Sequence, residues 1–361
     1  MNQSQKSEIP EGVLQRGKNN QLNNLFKDRI EYRSDMSEVP GSWKPSNTNL
    51  SKAEAVLEAT KSSGNLYRNG LGMIASENIV SPMVQKVVCS DLHGRYAEGL
   101  PGKRYYQGCD DFDTIESLGI SLAKQVFGAK FANIQSTSGT VSNIAALKAL
   151  AKPGDKITAV STADGGHISH ARMGAVGLRD LDLSTYPWDI DRMEPDIDGA
   201  CKLIREISPK VCLIGQSVFL FPTPLKEISA AAHEVGASVM YDGAHVLGLI
   251  AGGQFQDPLR EGADLMTGSS HKTFPGPQGG FLLSSSEDEK MQKRLNNAIF
   301  PGVCSSYHLH HVAGKVVALA EFEEYGAAYA KDIVQNSRAV SYTHLRAHET
   351  LRYLVCRLLL E

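Results

Sequence analysis

Two apolar runs in this chain end on residues of complementary chemistry. Residues 263–280, ADLMTGSSHKTFPGPQGG, open apolar and gather hydroxyl groups at Thr267, Ser269 and Ser270. They then present His271 and Lys272 ahead of a Pro/Gly-rich stretch. That pattern predicts a strand feeding a tight loop with a lysine at its mouth. Desolvation in such a place favours the neutral amine, a nucleophile toward aldehydes, so Lys272 is a candidate Schiff-base lysine. Upstream, SVMYDGAH (238–245) is a second apolar run that ends on Asp242. A lysine at one strand end and an acid at another are the two protein groups a pyridoxal phosphate ring needs. The lysine takes the carbonyl, and the acid holds the ring-nitrogen proton so that the ring can accept electrons. The plain alternative is a surface lysine in a loop. A phosphate-binding P-loop reading of GSSHKT fails, because His271 stands where that motif requires glycine.

Further groups fit the same pocket. Ser138, Gly139 and Thr140 open a helix, and hydroxyls with backbone N–H groups at a helix N-terminus form an anion site; simple capping is the alternative. His167 and His170, in DGGHISH, follow a strand and a glycine pair. Glu98, among Tyr96, Tyr105 and Tyr106 in YAEGLPGKRYYQG, is a candidate proton-transfer group; a tyrosine-rich packing loop is the alternative. The run His308-Leu309-His310-His311 invites a metal, but no Cys, Asp or Glu stands at a fitting spacing beside it, so no metal is expected.

The elements that must position these groups alternate. Residues 114–128 read as an amphipathic helix stopped by Gly128, and VSNIAALKALAKPGD as a helix closed by Pro-Gly-Asp. FANIQSTSG, KITAVST, VCLIGQS, ASVMYDG and ADLMTGS read as strands, with helices such as PLKEISAAAHEVG between them. Such alternation predicts an α/β fold: a mostly parallel sheet with helices on both faces and ligands at the carboxyl ends of the strands. Upstream, SKAEAVLEATKSSG predicts a helix ending at Gly64, and residues 1–50 read as a polar arm.

A net charge of −3 without a basic block argues against nucleic acid as the main partner. Six cysteines without a CxxC pair suggest reduced thiols of a cytoplasmic protein. No run approaches membrane-spanning length, and the N-terminus has no apolar core of a secretion signal.

IASEN, YAEGLPGKRYY, DGGHISH, YDGAHVLGLIAGG and HKTFPGPQGG follow one another in this order. Together they make the chain resemble the glycine/serine hydroxymethyltransferase family, pyridoxal-phosphate enzymes of fold type I, over about residues 71–319. The resemblance implies a seven-stranded-type sheet and a cytosolic homodimer or tetramer. It also implies conversion of serine and tetrahydrofolate to glycine and methylenetetrahydrofolate. By position it implies Lys272 as the Schiff-base lysine and Asp242 at the pyridine nitrogen. His245 and Ser217 would lie near the phenolic oxygen, with Ser138, Gly139 and Thr140 on the phosphate and Tyr96 reaching that phosphate across the dimer. Ser269 and His271 go with the cofactor pocket. Ser76 and Tyr106 would bind the amino acid, Tyr106 from the partner, and Glu98 would be the acid/base near folate and the serine hydroxyl.

Three positions depart from the family pattern. Asp164 is read as replacing a histidine that stacks on the ring, Gln278 an arginine, and residues 301–306 a phosphate-contacting P-G-x-Q-G-G. These departures admit a folate-independent aldolase or transaldolase acting on β-hydroxy amino acids. The match fades near Ala339, ahead of the small domain that carries the family's carboxylate-binding arginine. The expected organisation is therefore a large domain over 51–319, the start of a small domain over 320–339, and a tail over 340–361 that reads as translated adapter sequence, with an amphipathic helix as its alternative. A truncated, inactive homologue is the third reading.

Overall fold

Val211–Ile214 is apolar at every position and fully buried, as a strand must be when both sheet faces are covered. It is the fourth strand in sequence (β4) of a seven-stranded sheet in the computed structural model, which describes residues 50–70 and 72–341. The others are β1 (Phe131–Asn133), β2 (Lys156–Ala159), β3 (Asp182–Thr185), β5 (Ser238–Asp242), β6 (Leu265–Ser269) and β7 (Gly280–Ser284). Their spatial order is β1-β7-β6-β5-β4-β2-β3. All pairs are parallel except those made by β7, which runs antiparallel to both β6 and β1. The expected mostly parallel α/β sheet is thus present. Its antiparallel strand follows from the short return after β6, because a parallel neighbour would need a long crossover.

The longer helices are α1 (Leu50–Arg68), α2 (Asp110–Phe127), α3 (Gly139–Leu150), α4 (Ile197–Ile207), α5 (Leu225–Glu234), α6 (Glu289–Ile299) and α7 (Leu309–Val340). Helix α1 belongs to a unit that ends at Met73, and the body with the sheet begins at Ile74. The stop expected at Gly64 is not used. A glycine inside a helix costs only about 1 kcal/mol, and α1 continues four residues further to Arg68. Helix α2 begins at Asp110, earlier than expected, with Asp110, Asp111 and Asp113 at its positive end. It stops at Gly128, which takes the left-handed φ of 58°. Helix α7 runs unbroken through residues 319–320. Val340 and Ser341 are the described residues of the expected tail, and the expected arm over 1–49 lies outside the described residues.

Two apolar layers sandwich the sheet. On one side Phe127, Phe274, Phe281 and Phe322 form a chain of ring contacts within a cluster that includes Ile134, Ile214 and Tyr241. On the other, Leu147, Leu150, Ile157, Leu213, Leu282 and Ile299 pack together. Each fully buried Leu, Ile or Phe contributes roughly 1.5–3 kcal/mol. That rigidity lets the loops at the strand ends hold polar groups in fixed positions.

Candidate active site

The carboxyl ends of β5 and β6 and the N-terminus of α3 meet at a cleft of about 270 Å³. It is lined by Ser138, Gly139, Thr140, Asn143, His167, Asp242, Ala244, Ser269, His271, Lys272 and Gln278. Glycine is required where backbones crowd here. At Gly215, just after β4 (φ 149°), a Cβ would stand 2.6 Å from the Asp242 carbonyl oxygen. At Gly139 a Cβ would meet a side chain instead, 2.3 Å from Ser269 Oγ and 3.6 Å from Ser269 Cα.

Asp242, the last residue of β5, is 5% exposed. His170 Nε2 donates to its Oδ2 at 2.9 Å, Asn143 Nδ2 to the same oxygen at 2.7 Å, and the Ala244 N–H to Oδ1 at 3.0 Å. Burial alone pushes this carboxyl up. The bond and charge of His170, with the Asn143 and Ala244 donors, more than offset that, and the net direction is well down. Asp242 is therefore a fixed anion in the floor of the cleft. Asn143 is itself held, since its Oδ1 accepts from Thr267 Oγ1 at 2.6 Å and its amide donates to Ser169 Oγ at 3.0 Å.

Lys272 lies in the β6–β7 loop, which is closed by Ser270 N–H to Gly279 O (3.0 Å) and Gly276 N–H to Ser270 O (2.8 Å). Its Nζ donates to His245 Nε2 at 3.0 Å. Burial lowers the proton affinity of Lys272, with Asp242 pulling the other way. Burial and then the Lys272 charge push His245 down to about 4, so His245 is the acceptor. Thr273 Oγ1 donates to the His245 carbonyl (2.9 Å) and accepts from Gly248 N–H (3.1 Å), tying the two loops together. Asn78 Nδ2 donates to the Lys272 carbonyl at 2.6 Å, and Tyr329 on α7 donates to Asn78 Oδ1 at 3.0 Å.

His167 Nδ1 accepts from Ser169 N–H at 3.1 Å and meets Ser169 Oγ at 2.7 Å, which leaves the ring proton on Nε2. Burial, foremost, keeps the ring neutral. At the far end, Ser138 Oγ caps α3 by accepting from Val141 N–H at 3.2 Å, so the capping alternative describes this side chain, while Gly139 and Thr140 stand at the positive end of a twelve-residue helix.

Of the residues expected in the pocket, Ser138, Gly139, Thr140, His167, Asp242, Ser269, His271 and Lys272 come together at the cleft, and His245 joins through Lys272. Asp164 does not line it, which corrects the expectation that this residue faces the ring. Asp164 ends a 3-10 turn and offers its backbone carbonyl to Gln216 Nε2 at 3.2 Å. The chain then reverses at Gly165 (φ 91°), and His167 occupies the cleft wall. Ser217 is half-buried beside Gly165, to which its N–H donates, and Ser76 is half-buried; neither lines the cleft. Tyr96 and Tyr106 are exposed, with ring centroids 5.7 Å apart, and Glu98 accepts from Ser305 Oγ at 3.0 Å. Tyr106 lines a separate cleft of about 340 Å³.

Arg104 is committed to a buried network of its own. Its guanidinium donates to Asp113 (2.6 Å), Glu116 (2.7 Å), Tyr307 Oη (2.9 Å) and the carbonyls of Ala97 and Gly99. Arg172 is exposed and pairs with Asp182 at 3.4 Å. Among the described residues, no arginine lines the cleft. His170, Asp242 and His167 also form the one group of described residues whose potential metal-ligand atoms lie within 4.8 Å of one another. Sequence reasoning missed Asn143; a lone amide inside the apolar helix GTVSNIAALKAL was the available signal.

Pyridoxal phosphate can be tested against this donor set. A desolvated amine, a fixed carboxylate, a neutral imidazole and a helix N-terminus converge on one cleft. His271 Nδ1 is buried there without a partner, and the space over Ser269 is kept open by Gly139. The residues fit the group.

A twisted, mostly parallel sheet with such a cleft at its strand ends defines an α/β enzyme of the doubly covered type. The serine hydroxymethyltransferase family model matches residues 50–350. Over 287 residues the chain is 55% identical to the serine hydroxymethyltransferase of Methanocella arvoryzae, covering 80% of this chain and 67% of that protein. To those of Methanosphaera stadtmanae and Pyrococcus horikoshii it is 50% and 53% identical over 294 and 273 residues, covering 81% and 75% of this chain and 69% and 64% of those proteins. The chain spans about two thirds of the length of these curated relatives. It belongs to the serine hydroxymethyltransferase family and is a hydroxymethyltransferase-like enzyme. Among the described residues, no helix is long and apolar enough to cross a membrane.

Proposed function

We propose that this protein is a pyridoxal-phosphate-dependent enzyme that interconverts serine and glycine with tetrahydrofolate as one-carbon acceptor, in the cytoplasm. The observation that carries the reading is the pairing of a desolvated Lys272, donating to His245, with an Asp242 anion clamped by His170 and Asn143 in the same cleft. When bound, pyridoxal phosphate supplies an electron sink for cleavage of a Cα–Cβ bond.

The chain's own residues do the rest. Lys272 would offer the amine that attaches the cofactor, and His245 orients that amine through its Nε2 acceptor. Asp242 would hold a proton on the ring nitrogen, and His170, Asn143 and the Ala244 N–H stop its carboxylate from rotating. His167 gives the ring a flat, neutral neighbour. Gly139 and Thr140, with Ser138 and Ser269, receive the phosphate at the N-terminus of α3. His271 would complete the cofactor's surroundings from the cleft wall, and Ser217, off the cleft, is fixed by its N–H bond to the Gly165 carbonyl.

Tyr96, Glu98 and Tyr106 are off the cleft of their own chain and exposed or half-buried. That supports a homodimer, or a tetramer, in which these residues and Ser76 serve amino-acid and folate binding, with Glu98 as the proton-transfer group. The aldolase alternative rested on Asp164, Gln278 and residues 301–306; that His167 rather than Asp164 lines the cleft wall weighs toward the transferase on the first of these.

The test is direct. Protein given pyridoxal phosphate should absorb in the visible region, lose that band on borohydride reduction, and yield a reduced adduct that peptide mapping places on Lys272. An adduct on another lysine, or none, refutes the reading. Glycine formed from serine only when tetrahydrofolate is present would establish the acceptor.

A further inference from the structure

Lys315 is a cation that the site chemistry above does not use. It lies on α7 and is 1% exposed. Its Nζ donates to the Ile134 carbonyl, to Gly280 O at 3.2 Å and to Ser136 O at 3.4 Å. Among the described residues, no carboxylate oxygen lies within ion-pair distance of it. Glu116, the acid nearest in effect, already accepts from Arg104, Gln135 and Tyr307.

The three carbonyls have a common location. Ile134 and Ser136 precede Ser138, the cap of α3, and Gly280 follows Gln278, which lines the opposite side of the cleft. Gly280 N–H also donates to Ser136 O at 2.9 Å. A Cβ at Gly279 would stand 2.9 Å from Lys315 Nζ, and one at Gly280 would stand 2.4 Å from Ser138 O. Lys315 therefore sits where the two loops that bound the anion end of the cleft are fastened together. A buried cation without a carboxylate partner costs several kcal/mol to keep. That cost is offset when an anion arrives nearby, because the low-dielectric surroundings screen their attraction weakly.

We propose that Lys315 is the buried countercharge and positioning residue of the phosphate-binding end of the site. It fastens loops 134–138 and 278–280 through their carbonyls and supplies positive charge from beneath for a ligand phosphate. The inference rests on the cofactor reading above. Burial, foremost, brings Lys315 down to about 7 in the ligand-free protein. The titratable groups that face it are Glu116 on α2, Cys304 ahead of α7, and His311 on α7 itself. A phosphate dianion favours the charged ammonium, so binding takes up a proton when the pH is above 7.

The measurement is the ratio of affinities for pyridoxal phosphate and pyridoxal, which share the ring and aldehyde and differ in the phosphate. Both are titrated spectroscopically into cofactor-free protein from pH 6 to 9. Lys315→Met should weaken pyridoxal phosphate by about tenfold or more, as expected on removing a weakly screened charge, and leave pyridoxal within about twofold. The wild-type ratio should fall as pH rises, more steeply than in the variant. Equal ratios in the two proteins overturn the proposal and leave the cofactor reading standing. A wild-type protein that binds neither compound overturns both. If Lys315→Met does not fold, Lys315→Gln keeps a donor without the charge. Calorimetry of the wild type at pH 8 in buffers of different ionisation enthalpy adds an independent measure: greater proton uptake with pyridoxal phosphate than with pyridoxal supports the assignment, and equal uptake overturns it.

Discussion

Asp242 Oδ2 and His170 Nε2 stand 2.9 Å apart, with side-chain exposures of 6% and 1%. Two polar groups this deep are tolerable only as partners. Asp242→Ala should therefore lower stability by about 3 kcal/mol, because His170 and Asn143 are left with buried, unanswered donors. Asp242→Asn keeps an acceptor and should fold. It should bind the cofactor yet lose two or more orders of magnitude in activity, the scale on which a single preorganised electrostatic contact acts. Urea unfolding and steady-state kinetics check the two halves separately.

Arg104 and Glu116 form a second buried pair, 3% and 1% exposed, that anchors the segment carrying Tyr96, Glu98 and Tyr106. Arg104→Met should cost about 3–5 kcal/mol, the typical penalty for stranding a buried charge. Arg104→Met combined with Glu116→Leu should recover a good part of it. A denaturation double-mutant cycle measures the coupling, and a single-variant cost below about 1 kcal/mol would be incompatible with this anchoring role.

Acid should weaken the fold in a defined window. Burial, foremost, lowers His245 and His311 to about 4. The unfolded chain takes up protons from about pH 6.5 downward that the folded chain refuses until about pH 4. Stability is therefore full above that window and falls as pH drops through it. His311→Gln should make the loss between pH 6.5 and 4.5 shallower, as read from thermal unfolding midpoints. An unchanged slope would mean that His311 titrates freely in the fold.

Asp164 and His167 should behave oppositely in cofactor titrations. Asp164→Ala removes a side chain that does not line the cleft and should change affinity by less than about twofold, within the range of surface substitutions. His167→Ala strips a wall of the cleft and should weaken binding by about tenfold or more, comparable to truncating a well-packed contact. A larger effect at Asp164 than at His167 would reverse their assignment.

Strand ends were the legible part of this chain. Lys272, Asp242 and Ser138 were readable because apolar runs stop at them, and a parallel sheet delivers such residues to one edge. His167 and Asp164 were confusable because the glycine pair between them hides a reversal, and only the positive φ of Gly165 separates the two faces. Strands β3 and β7 escaped notice for different reasons. DLST at the sheet edge is short and half polar, and GFLLS follows a Gly-rich loop whose closure depends on distant partners. Asn143 and Lys315 could not be placed from sequence, since a polar group on a buried helix face gains meaning only from the strands beneath it.

Helix α7 has 32 residues, about 48 Å of continuous rod. Near its start His311 holds the Gln278 carbonyl, and Lys315 one turn on holds the loop before α3. Phe322 packs on Phe274 of the lysine loop, and Tyr329 steadies the Asn78 that grips Lys272. Both ends of the cleft thus hang from one spine. Amide exchange should find the β6–β7 loop and the start of α3 opening as one cooperative unit with α7, rather than as two loops that breathe on their own schedules.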